Sequence, residues 1–171
     1  MTNTIHILTR DGRVNLFLER WCRRQGLVPE IITSPYSVVE GRNASIVDFL
    51  DGADDGLIQL DDDTVPDDDT LPILTTEEDV AWCACPPRNG KVCGGFMPGC
   101  ARYSRRVLEM VSPPWFRPRV DGLGVRCGAE EAYLLSQVSA PVRVGSCGHL
   151  VEMIAKICDG RVGFAWACAG E

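Results

Sequence analysis

Along the chain, short apolar runs alternate with stretches whose apolar residues recur every three or four positions. Residues 5–9 form an apolar run closed by Arg10-Asp11-Gly12, a turn signal, and read as a first strand. From Arg13 onward Val14, Phe17, Leu18 and Trp21 recur at helical spacing, with Arg20, Arg23 and Arg24 on the other faces and Gly26 as the stop. Residues 31–33 read as a second strand and residues 35–41 as a loop. Asn43 or Ser45 then caps a helix carrying Ile46, Val47, Phe49 and Leu50, closed by Gly52. Residues 56–60 form a third strand that runs straight into Asp61-Asp62-Asp63. Strand, helix, strand, helix, strand predicts an α/β fold with a mostly parallel central sheet flanked by helices. Ligands of such sheets lie beyond the carboxyl ends of the strands, where the acidic triplet falls.

The second half is less regular. Residues 70–74 read as a short helix, 79–85 as a strand stopped by Pro86-Pro87, and 88–99 as a hairpin or loop. Residues 104–111 read as a helix ended by Pro113-Pro114, and 117–127 as irregular. A helix over 129–138, a strand over 142–144, a helix over 149–158 and a last strand over 162–167 complete the pattern. No internal repeat is visible, and 171 residues with 45% hydrophobic content suit one domain with a real core.

Charge sharpens the picture. The net charge is −7, and residues 51–69 hold nine Asp and no Lys or Arg, so the rest of the chain is close to neutral. Such a segment repels phosphate unless a cation sits in it, and without a basic stripe no nucleic-acid partner is expected. No run approaches the roughly 20 apolar residues that span a bilayer, and no signal peptide is read at the start. Nine cysteines, several inside apolar runs, fit buried thiols in a reducing, cytoplasmic setting.

The triplet carries the candidate chemistry. In an extended segment Asp61 and Asp63 lie on one side, and two hard oxygen donors there suit Mg²⁺ or Mn²⁺. An EF-hand is excluded by spacing, because Pro66 and Pro72 stand where that loop needs Gly and Glu. A solvated acidic turn is the plain alternative. The second triplet, Asp67-Asp68-Asp69, reads as mainly structural.

Several blocks of this chain resemble GT-A glycosyltransferases of the family 2 type. GLIQLDDDTVP (residues 56–66) is similar to their DXD region, and Gly41-Arg42-Asn43 to an Arg-Asn pair near the donor nucleotide. GGFMPGCARYSRRV (94–107), Pro114-Trp115-Phe116, Glu130-Glu131-Ala132-Tyr133-Leu134 and Gly148-His149-Leu150 resemble later blocks in the same order. The resemblance covers about residues 5–150. It implies a single GT-A-like, Rossmann-like domain over residues 1–171, with a nucleotide-binding half (1–66), an acceptor-binding half (67–171) and a small antiparallel C-terminal part.

Function follows as an expectation of the same resemblance: transfer of a sugar from a nucleoside-diphosphate sugar, UDP-sugar favoured, to a glycan or other hydroxyl acceptor. Asp61, Asp63 and His149 are the implied metal ligands, and the imidazole shifts the preferred ion toward Mn²⁺. Arg10, Arg42, Asn43, Asp61 and Asp62 are implied at the donor. Glu131 is the implied general base, with Glu130 beside it for the acceptor; a carboxylate opening a helix is kept ionised by the dipole. Where the family usually has Glu-Asp, this chain has Glu-Glu. Trp115 and Phe116 fit an acceptor platform or the core, and Arg105 and Arg106 an exposed helix face.

Two rivals remain open from the residues alone. A nucleotidyltransferase would share the acidic site but usually carries a Gly-rich basic loop after the first strand, where this chain has Arg10-Asp11-Gly12-Arg13. A zinc-stabilised or acidic interaction module would use Cys83, Cys85, Cys93 and Cys100 as four thiolates, although paired C-x-x-C knuckles are absent. No Walker A sequence or GxGxxG fingerprint is present.

Overall fold

The computed structural model describes residues 1–84, 99–117, 119–120, 126–128, 134, 144–150 and 152–153, the strands after residue 117 through their backbone alone. Strand β1 (Asn3–Thr9) is followed by helix α1 (Leu16–Arg24), β2 (Glu30–Thr33), helix α2 (Val38–Asp51) and β3 (Gly56–Asp61). Then come β4 (Thr64–Val65), α3 (Thr70–Leu74), β5 (Val80–Ala84), β6 (Cys100–Ser104) and α4 (Arg105–Met110). Short strands β7 (Arg119–Val120) and β8 (Arg126–Gly128), then β9 (Val144–Leu150) and β10 (Glu152–Met153), complete the described elements.

The central sheet has six strands in the order β2-β1-β3-β6-β5-β9. β1 pairs in parallel with β2 and β3, β6 runs antiparallel to both its neighbours, and β9 is parallel to β5. Five strands therefore share one direction, as expected for a mostly parallel α/β sheet, and β6 alone opposes them. The small antiparallel pairs are β7–β8 and β10–β4.

Period-two alternation sorts the core onto the two faces. Ile5, Ile7, Ile58 and Leu60 pack with Leu18, Trp21 and Cys22 of α1 and with Leu74 of α3. On the other face Leu57, Ala101 and Tyr103 pack with Ile46 and Phe49 of α2, Val107 and Leu108 of α4, and Trp115 and Phe116. Because Leu57 faces α2, Gln59 and Asp61, two and four residues on, face it as well.

Several elements differ from expectation. α1 begins at Leu16, not Arg13, because Asn15 caps it: its Oδ1 accepts the Leu18 N–H at 2.8 Å. α2 begins at Val38 behind Ser37, so the segment read as a loop contains its first turn, and Asn43 and Ser45 lie inside the helix rather than capping it. Gly41 gives this first turn the sequence signature of a loop. It sits in the helix because a Cβ there would lie 3.1 Å from Ser34 Cβ, although Gly inside a helix costs about 1 kcal/mol.

β6 was not anticipated, since Arg102 interrupts its apolar pattern. That guanidinium is buried and bonds Asn3 Oδ1 at 3.0 Å and the Glu78 carbonyl at 2.7 Å. Gly56 leaves room for it, because a Cβ there would come within 2.6 Å of Arg102 Nη2. Residues 149–150 and 152–153, expected to be helical, form the end of β9 and then β10, where pairing with β5 and β4 overrides local spacing. Within the segment read as irregular, β7 and the start of β8 pair with each other. The expected helix over 129–138 and strand over 162–167 lie outside the described residues, apart from helical Leu134.

Candidate active site

The parallel strands β1, β2 and β3 end side by side at Thr9, Thr33 and Asp61. Leu8 stands opposite Asp61 in the register, so Arg10 and the acidic triplet leave the sheet at the same edge. Arg10 is exposed there, in the bend that follows β1.

Asp61 is the last residue of β3 and points to the α2 face. There Arg42, only 2% exposed, reaches it from α2: Nη2 lies 3.0 Å from each carboxylate oxygen. This pair is a buried cation held on a half-buried anion. Arg42 also lies over the Phe116 ring, 6.0 Å from its centroid, and its carbonyl accepts from Gln59 Nε2 at 3.1 Å.

Asp62 and Asp63 form a turn between β3 and β4. The alternation that would put Asp61 and Asp63 on one side stops at Asp61, so the expected shared ligand role would rest on the turn and not on strand geometry. That turn is pinned from two sides. The Asp62 N–H donates to the Leu8 carbonyl at 3.0 Å, and the Asp61 N–H to the Gly99 carbonyl at 2.8 Å. Asn15 Nδ2 donates to the Asp62 carbonyl at 2.6 Å and the Thr64 carbonyl at 3.0 Å. Asn15 thus caps α1 and holds the triplet at once. Sequence reasoning passed over it, although an Asn ahead of an amphipathic run is a capping signal.

β10 closes the far side by backbone pairing: Glu152 stands opposite Val65 and Met153 opposite Thr64, directly after Asp63. His149 belongs to the end of β9, three residues before Glu152. Its backbone therefore approaches the same edge of the sheet, whereas β9 itself is three strands from β3. Glu130 and Glu131 lie outside the described residues.

Other candidates have structural partners. Asn43 clasps the Phe116 backbone, donating to its carbonyl at 3.0 Å and accepting its N–H at 2.9 Å. Trp115 and Phe116 are core residues, 5% and 1% exposed, and Trp115 Nε1 donates to the Leu108 carbonyl. Arg105 is no bystander on a helix face: its guanidinium donates to the carbonyls of Phe49, Leu50, Gly52 and Asp54 and so closes the carboxyl end of α2. Arg106 pairs with Asp79, which also accepts from Ser104 Oγ at 2.7 Å. In the second acidic triplet, the Asp67 carboxylate accepts from Thr70 N–H and Oγ1, and its carbonyl from Trp21 Nε1 at 2.7 Å, in keeping with a structural role.

The thiolate reading fares differently. Cys83 and Cys100 are buried in the apolar cluster under α1, and no metal-holding group of residues with a Cys occurs among the described residues; Cys85 and Cys93 lie outside them. Burial pushes the nearby Cys22 thiol up to about 11. No helix among the described residues is long and apolar enough to cross a membrane.

No family model matches the chain, and no curated protein is similar to it in sequence. Solved structures do share its fold. A197 from STIV matches with a TM-score of 0.66 at 18% identity, covering 100% of this chain and 92% of the other. A glycosyltransferase involved in the glycosylation of the major capsid of PBCV-1 matches with a TM-score of 0.53 at 14% identity, covering 86% of this chain and 81% of the other. At these identities the likeness is one of fold.

Proposed function

We propose that this chain is a GT-A-type glycosyltransferase that transfers a sugar from a nucleoside-diphosphate sugar, UDP-sugar favoured, to an acceptor hydroxyl. The observation that carries the reading is the exit of buried strand β3 into Asp61-Asp62-Asp63 at the carboxyl edge of the parallel strands, with Arg42 fixed on Asp61. The shared fold with a glycosyltransferase of capsid glycosylation supports it.

The donor set suits a hard divalent cation, Mn²⁺ or Mg²⁺. Asp61 and Asp63 present carboxylates that are neither buried nor fully exposed, and Arg42 occupies only one direction of the Asp61 oxygens. Asp61 and Asp63, with His149 as third ligand, would hold the ion, which supplies positive charge to the diphosphate as it leaves. Arg42 holds the Asp61 carboxylate in place. Arg10, exposed beside the turn, is available to a phosphate or the nucleobase, and Asp62 to the nucleotide. Asn43 acts indirectly, by tying α2 to the Phe116 segment. Glu131 takes the acceptor's proton as its hydroxyl attacks, and Glu130 binds the acceptor; these two roles rest on the sequence resemblance.

A donor assay tests this reading. With Mn²⁺ present, the protein should release UDP from a UDP-sugar, faster with a hydroxyl acceptor, and chelator should stop it. Release of pyrophosphate from a nucleoside triphosphate, with no turnover of any nucleotide-sugar, would instead identify a nucleotidyltransferase.

A further inference from the structure

A second group of ligand atoms lies away from the triplet, between α2 and the edge strand β2. His6, in the middle of β1, faces α2 and is fully buried. Its Nδ1 is 2.7 Å from Ser45 Oγ, which also accepts from Gln59 Nε2 at 2.9 Å. Its Nε2 makes no hydrogen bond, although Asp48 Oδ2 is 3.3 Å away. Ser45 Oγ can accept from Nδ1 or donate to it; with the proton on Nδ1 the Nε2 atom carries a lone pair. Burial lowers the affinity of the ring for a second proton, more than Asp48 and Glu30 raise it.

Glu30 stands opposite His6 in the register of β1 and β2, and Asp48 comes from the last turns of α2. One ligand atom from each of His6, Glu30 and Asp48 lies within 4.8 Å of the others. Neither carboxylate pairs with a Lys or Arg among the described residues. Three potential ligand atoms thus converge with no Lys or Arg between them, and one of them is a buried nitrogen without a hydrogen bond. Two carboxylates and one imidazole at this spacing are a donor set that a single cation can share.

We propose that His6 Nε2, Glu30 and Asp48 form a binding site for a divalent transition-metal ion of the zinc class, independent of the acidic triplet. One imidazole and two carboxylates suit Zn²⁺, which binds N and O donors at about 2.0–2.2 Å. Atoms held at that distance from one ion are at most about 4.4 Å apart. Asp48, 54% exposed, and Glu30, also exposed, can close the remaining gap by rotating, while Ser45 fixes the ring from behind as an outer-shell partner. Three protein ligands leave a fourth position open to water. The site ties β1, β2 and α2 together and lies several residues before the carboxyl ends of the strands, so it serves the fold or a second ligand and not the donor site.

The test uses Zn²⁺ alone, titrated by calorimetry into chelator-stripped, reduced protein, with Co²⁺ absorption spectra as a second readout. His6 is in the core and its replacement endangers folding, so the informative variant is Glu30→Gln with Asp48→Asn, both at the surface. The parent should bind Zn²⁺ at this site and gain thermal stability from it. The double variant should bind more than about tenfold more weakly with its fold intact by circular dichroism, whereas Asp63→Asn should bind as the parent does. Absence of Zn²⁺ binding by the parent would overturn the proposal. So would undiminished binding by the double variant, which would assign the ion to the cysteines or the triplet, or loss of binding in Asp63→Asn, which would assign it to the triplet.

Discussion

Asp61 and Asp63 look alike in the sequence and differ in the fold. Asp61 neutralises a buried guanidinium, whereas Asp63 sits in the turn beyond the strand. Removing one partner of a buried pair leaves an uncompensated charge, typically at a cost of about 3–5 kcal/mol. Because Asp61 is partly exposed, Asp61→Ala is expected to lose about 3 kcal/mol in urea unfolding, and Asp63→Ala clearly less. Equal losses would mean that the Arg42–Asp61 pair is not what holds this end of β3. The acidic residues were legible because an apolar strand led into them. The partner of Asp61 was legible only as a motif residue: nothing in the chain announces that Arg42 is buried and aimed at Asp61, since that requires α2 and β3 to be packed together. Asn43 shows the reverse case, a motif residue whose amide is engaged by the backbone of Phe116, 73 residues on.

At the scale of elements, β1 through β3 and α3 were readable because their apolar runs, periodicity and turn residues agree. α2 was read too short because Gly41 and the polar residues around it look like a loop. The reason for that glycine, its close approach to Ser34, is tertiary. β6 was hidden by Arg102, a charge that the strand buries only because Asn3 and the Glu78 carbonyl receive it. The end of β9 was hidden because residues 149–153 carry helical spacing and their strand partners are distant in sequence. Asn15 links two elements, as cap of α1 and anchor of the triplet turn. Asn15→Ala should cost about 1–2 kcal/mol, a cap's worth and somewhat more, and should speed amide exchange at residues 62–64. Destabilisation without faster exchange there would make Asn15 a cap alone.

Across the whole molecule, the alternation of strands and helices sufficed for the α/β class and for the place of the acidic triplet at the carboxyl edge of the parallel strands. It did not supply the strand order, because β6 inserts antiparallel between β3 and β5 and β10 returns to β4. That return brings the chain after His149 beside the residues that follow Asp63, which local sequence signals do not encode. The central claim is that this edge is a cation-dependent site for a nucleoside diphosphate. It is tested most directly by calorimetric titration of UDP in the presence of Mn²⁺, with parent and Asp63→Ala compared and chelator as control. The account predicts binding by the parent that chelator abolishes and that Asp63→Ala lacks while remaining folded. Binding of UDP and Mn²⁺ by Asp63→Ala as strong as the parent's, or no binding of UDP or GDP by the parent, would contradict it and leave the triplet as a solvated acidic turn.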